Sequence, residues 1–85
     1  IEHAALNVFY HTAWEKAFIN ACNLKGKTGK LLLYDVQGKV IHSEPLRIQN
    51  GYYTRDLSMA GISNGLYLVV VTTERERLTK KLLIE

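Results

Sequence analysis

From Lys30 onward, apolar and polar positions either alternate with a period of two or run unbroken, and both are the patterns of β-strands. Lys30 to Val36 (KLLLYDV) is apolar on both faces, as in a central strand. Asp35-Val36-Gln37-Gly38 then puts Asp at the first and Gly at the fourth position of a turn, the preference of type I, with Gly free to take positive φ beside a bulge. Lys39 to Ser43 is the return strand. Pro45, which has no N–H for a ladder, ends it or marks a sheet edge. Asn50-Gly51 signals a turn or bulge, and Tyr52 to Leu57 alternates loosely after it. Ser58 to Asn64 is a connection that closes on the turn pair Asn64-Gly65. Leu66 to Thr73 (LYLVVVTT), β-branched, aromatic and continuous, is the strongest strand. Glu74 to Arg77 forms a charged hairpin tip, and Leu78 to Ile84 (LTKKLLI) closes the chain as a strand whose lysines discourage edge-to-edge pairing.

The first third supports two models. Ala5 to Tyr10 fits a strand with Leu6, Val8 and Tyr10 on one face. Thr12 to Leu24 fits a short helix over residues 12–22, because Thr12 and Glu15 make a capping box and Trp14, Ala17, Phe18, Ala21 and Cys22 share a helical face. It also fits a strand from Lys16 to Leu24, with Ala17, Ile19 and Ala21 on one side and Phe18, Cys22 and Leu24 on the other. Consistency with the rest of the chain favours the strand. The expected fold is all-β: an immunoglobulin-like sandwich of about seven antiparallel strands.

Eighty-five residues make one domain, residues 1–85, with room for a single two-layer core and little room for a deep pocket. The chain opens on Ile1, which reads as an excised domain or processed fragment. A net charge of +3 is mildly basic, but the cations are scattered and interrupted by acids. That is a solvated surface, not the dense stripe of a nucleic-acid site. No stretch is long and apolar enough to cross a membrane.

Candidate chemistry is sparse. Cys22 is the only cysteine, so no internal disulfide forms. A thiol enzyme would need Cys22 activated by a histidine and would show rapid alkylation near neutral pH. His3, His11 and His42 lack the close ligand spacings of a metal site, and no cofactor is expected. Asp35 has a sufficient role in its turn, and Asp56 suits a cap at a strand end. Gly26 to Lys30 (GKTGK) faintly suggests a phosphate loop but lacks the Walker spacing, and a hairpin connection explains it better. A planar set of exposed aromatics, Trp14 with Tyr52 or Tyr53, would instead mark an accessory carbohydrate-binding or adhesion module.

Three pieces in series carry a more specific resemblance. They are a strand ending Tyr34-Asp35 with Gly38-Lys39 and Val40-Ile41 after it, then Gly65-Leu66-Tyr67-Leu68-Val69-Val70, then Lys80-Lys81-Leu82-Leu83-Ile84 just before the end. In that order, from about Leu24 to Glu85, the chain resembles the C-terminal sorting domain of proteins exported by the type IX secretion system of Bacteroidetes, the Por secretion tail family. Two family features depart. No Pro-Asn-Pro follows Val8-Phe9-Tyr10. The Asp-x-Ser-x-Leu pattern falls ungapped on Ser58, Ala60 and Ile62, or on Asp56-Leu57-Ser58 with a two-residue insertion.

The resemblance implies a non-catalytic sorting signal fused to an N-terminal cargo. Such a cargo passes through the periplasm, and its folded tail is recognised by outer-membrane machinery that includes a carrier barrel protein and a translocon. A sortase-like protease then removes the tail, and the cargo is anchored at the cell surface or released. The scissile bond would lie upstream of, or near, Ile1. Under this reading Tyr34, Asp35, Gly38, Lys39, Gly65 and Tyr67 shape the sandwich, with Tyr34 and Tyr67 as cross-strand core neighbours. Lys80, Lys81, Leu82, Leu83 and Ile84 are what the machinery reads, with edge protection and solubility as the competing explanation of the two lysines.

Overall fold

Seven strands form two antiparallel sheets in the computed structural model, which describes residues 3–85. They are β1 (Ala5–His11), β2 (Lys16–Cys22), β3 (Thr28–Asp35), β4 (Val40–Arg47), β5 (Tyr53–Ser58), β6 (Gly65–Thr73) and β7 (Arg77–Ile84). One sheet runs β1-β2-β5 and the other β4-β3-β6-β7. This is an immunoglobulin-like order in which the fourth strand has joined the larger sheet beside β3. The all-β expectation holds, and no helix forms among the described residues.

The helix considered for residues 12–22 is replaced by a hairpin. Thr12 and Glu15, which match a capping box, are the ends of a tight turn: the Glu15 N–H donates to the Thr12 carbonyl at 3.3 Å and Glu15 takes φ +51°. A capping box contributes about 1 kcal/mol. Against it, β2 lies between β1 and β5 and gains two ladders while burying Ala17, Ile19 and Ala21. Burial of one isoleucine alone contributes about 2 kcal/mol. Leu24 departs from the expected alternation. The chain turns through positive φ at Asn23, and Leu24 drops into the core beyond the strand end.

Each sheet turns one face inward. Leu6, Ala17, Ile19, Ala21 and Leu57 from the smaller sheet meet Leu31, Leu33, Val69, Val71, Leu82 and Ile84 from the larger. Pro45 does not end β4 but lies within it, cross-strand from Lys30, and β4 is an edge strand where a missing N–H costs no ladder bond. Asn50-Gly51 carries positive φ at both residues and closes a two-residue hairpin between Gln49 and Tyr52. At one side of the sandwich β1 comes against β7. At the other, Arg55 of β5 reaches Glu44 of β4 through Nε at 3.1 Å, and His42 Nε2 lies 2.8 Å from the same carboxylate. The Arg55 hydrogen bonds outweigh partial burial and hold the Glu44 carboxyl below its ordinary range.

Candidate functional site

The last strand owes its place to its own alternation. Leu82 and Ile84 are each 2% exposed and face the core. Lys81 pairs with Leu68 and Lys80 with Val69, so the two lysines leave the strand on opposite faces. Lys81 therefore belongs to the outer face of the larger sheet, with Leu83, which is 54% exposed. Lys80 is on the inward set yet exposed, because β7 is the terminal strand of its sheet. An inward-pointing charge on an edge strand is a device against unwanted strand pairing.

Asp35 begins its turn as its sequence position indicated. Gly38 N–H donates to the Asp35 carbonyl at 3.1 Å, and Asp35 N–H donates to the Lys39 carbonyl at 3.0 Å. Asp35 Oδ1 accepts from the N–H groups of both Gln37 and Lys39 at 2.9 Å. Gly38 takes φ +85°, and a Cβ added there would meet nothing within 4 Å, so its role is conformational freedom. Replacing Asp35 by Ala should leave two amides without their acceptor and lower stability by about 1–2 kcal/mol. Thermal unfolding followed by circular dichroism checks this, together with faster hydrogen exchange at Gln37 and Lys39.

Tyr34 and Tyr67 are not core neighbours. Tyr34 pairs with Leu68, and Tyr67 pairs with Asp35. That one-residue offset sends the two rings to opposite faces. Tyr67 points into the core and its hydroxyl donates to the Ser63 carbonyl at 2.6 Å, four residues upstream. This corner arrangement secures the entry to β6, where Gly65 takes φ +150°. Tyr34 faces outward, into a hollow of about 290 Å³. The hollow is floored by Leu68 and Val70 and bounded by the Asp35–Gly38 turn, Arg77 and Thr79. All three sequence pieces therefore converge on the outer face of the larger sheet. Val70 was visible as part of an apolar run and of the second sequence piece, Thr79 only as a polar position of the last strand, and Arg77 only as the end of the charged tip, although it is the first residue of β7.

The remaining candidates separate. The GKTGK stretch is not a hairpin connection throughout, since Thr28 to Lys30 already belong to β3, and the backbone just before β3 holds carboxylates: Lys27 N–H donates to Glu74 Oε1 at 2.8 Å and Lys25 N–H to Glu76 Oε2 at 2.7 Å. The charged tip between β6 and β7 is thus tied to the loop before β3 and is not merely solvated. Trp14 does not join Tyr52 or Tyr53 in a platform; it stacks on His11 at 4.6 Å, beside the Phe9–Phe18 stack. The Asp56 backbone carbonyl, not its carboxylate, accepts a hydrogen bond, from Arg55. Cys22 is half-buried at the end of β2. Among the described residues no group of three or more His, Cys, Asp or Glu is placed to hold a metal ion, and no helix is long and apolar enough to cross a membrane.

The hollows described are open and lie on the surface of the sandwich, one of them beside the basic edge strand β7. The chain belongs to the secretion system C-terminal sorting domain family, whose model matches residues 13–85. The match begins upstream of the Leu24 boundary indicated by the motifs, so β2 is part of the family's domain. Members are C-terminal sorting signals for type IX secretion, which implies export, with secretion or attachment at the cell surface. No curated protein matches the chain.

Proposed function

We propose that residues 1–85 act as one non-catalytic sorting domain that directs an N-terminal cargo across the outer membrane. The family match over residues 13–85 carries this reading. The machinery engaged comprises a carrier barrel protein, the translocon and a sortase-like protease, and the cargo ends at the surface after the tail is cleaved. The scissile bond, upstream of or near Ile1, lies outside the described residues. Lys80, Lys81 and the exposed side of Leu83 present the signal, while Leu82 and Ile84 hold the strand in place. Tyr67, Asp35, Gly38 and Gly65 shape the sandwich that displays it, with Lys39 completing the Asp35 turn.

The test is transport. A fluorescent protein with a signal peptide and residues 1–85 at its C-terminus should reach the surface or medium of a bacterium that has a type IX system. The Lys80→Ala/Lys81→Ala fusion should accumulate in the periplasm while remaining folded. Retention of both fusions in folded form would reduce the likeness to one of fold alone. Polysaccharide binding would then be assayed on the Phe9–Phe18 and His11–Trp14 stacks, where Phe9 is 56% and Trp14 64% exposed.

A further inference from the structure

We infer that the outer face of the larger sheet seats an extended acidic segment of a partner protein, whose one large apolar side chain enters the hollow between the Asp35 turn and β7. This rests on the sorting reading and gives that reading a surface and a partner chemistry.

Val70 is 1% exposed but is not part of the core between the sheets; it faces outward between Leu32 and Thr79. An antiparallel sheet with one solvated face alternates apolar and polar residues. Here β3 and β6 are apolar on both faces at their centre, so the outer face has an apolar floor. The hollow over that floor, about 290 Å³, is at or below the lower end of the roughly 300–1,000 Å³ of small-molecule pockets. It suits a single side chain.

The charges select the partner. Arg77 and Lys81 lie on the same face of β7, four residues apart, with Thr79 between them at the wall of the hollow. Lys30 lies on β3 across Thr72 from Arg77. None of these three cations has a carboxylate within ion-pair distance among the described residues. The nearby acids are engaged: Asp35 by its own turn, Glu74 and Glu76 by the loop before β3.

Four strand residues span about 13 Å, and positions i, i+2 and i+4 of an extended segment share one face. A segment reading acidic-x-apolar-x-acidic therefore sets its carboxylates against Arg77 and Lys81 and its apolar side chain over Val70. Three cations fall short of the four to eight typical of an anionic lipid surface, which favours the peptide.

The probe is the acetylated, amidated peptide Thr-Glu-Ser-Phe-Ser-Glu-Thr, titrated into the ¹⁵N-labelled 85-residue chain. Amide shifts should centre on Leu68, Val70 and Thr79, and binding should weaken as salt is raised. Arg77→Glu with Lys81→Glu should weaken it about tenfold, because exposed ion pairs are individually weak. Thr79→Tyr, which fills the hollow from an exposed strand position, should abolish the shifts while the spectrum stays that of a folded chain. Equal binding of the peptide with Lys in place of Glu, shifts centred on another face, or indifference to the charge reversals overturns the proposal. So does binding to phosphatidylserine vesicles with none to the peptide.

Failure here and failure of sorting are separable. If the Thr79→Tyr fusion is exported normally although it no longer binds peptide, the hollow is not the sorting seat and the sorting domain stands. If the peptide binds as expected and the unaltered fusion is not exported, the docking face stands and the sorting reading falls.

Discussion

Truncation after Thr79 should yield a chain that does not fold, and so a transport defect that says nothing about recognition. The cut removes Leu82 and Ile84, both core residues, and most of the β6–β7 ladder. Losing a buried Leu or Ile side chain costs about 2–5 kcal/mol. Two such losses alone amount to about 4–10 kcal/mol, against a total stability on the order of 5–15 kcal/mol for a domain. The loss of ladder hydrogen bonds adds to this. The measurement is a ¹⁵N correlation spectrum with a thermal melt: collapsed amide dispersion and no cooperative transition are expected. Lys80→Ala/Lys81→Ala should behave differently, because both side chains are exposed. Surface substitutions of this kind change stability by about 0.5 kcal/mol each, which moves the melting temperature by only a few degrees in a domain of this size. A transport block in the lysine variant, with folding intact, is therefore the result that speaks to recognition. A cooperative, native-like melt of the truncated chain would show that β7 is an accessory strand and not part of the core.

Gly29→Ala should be the most damaging single methyl addition in the chain. A Cβ at Gly29 would run into the Thr72 carbonyl oxygen and meet the Thr72 carbonyl carbon at 3.0 Å. Both are backbone atoms of the neighbouring strand, so no side-chain rotation relieves the overlap. The β3–β6 ladder at the centre of the larger sheet would have to part at Gly29–Thr73. Overpacking of this kind costs about 3 kcal/mol or more where backbone must shift. In a domain of this size that lowers the melting temperature by roughly 12–24 °C. A melt within a few degrees of the unaltered chain would mean that β3 and β6 separate easily at this end. The loop reading of Gly26 to Lys30 offered no hint of this, since Gly29 looked like one glycine of a flexible connection.

Strand placement was largely legible in the sequence, because a strand's side-chain period is local. KLLLYDV, LYLVVVTT and LTKKLLI each fall on an observed strand within about two residues. The Asp35 turn was legible for the same reason: an Asp side chain satisfies backbone N–H groups two and four residues on, and Gly38 supplies the positive φ. The opposite faces of Lys80 and Lys81 follow from their adjacency alone. The family itself was readable in three short pieces, since each marks a local event of turn, strand entry or terminal strand.

What the sequence left open was decided between segments distant in the chain. For Thr12 to Leu24 local rules preferred a helix and consistency with the rest of the chain a strand, and the ladders of β2 to β1 and β5 give the strand. Tyr34 and Tyr67 looked like partners because both lie on central strands, but the β3–β6 register, offset by one residue, sends them to opposite faces. The carboxylates of Glu74 and Glu76 meet amides about fifty residues earlier in the chain. The hollow on the outer face exists only because β3, β6 and β7 lie side by side. Composition and periodicity set which residues are apolar and on what spacing. Register and sheet order, which minimise exposed apolar surface over the whole chain at once, set which of them meet.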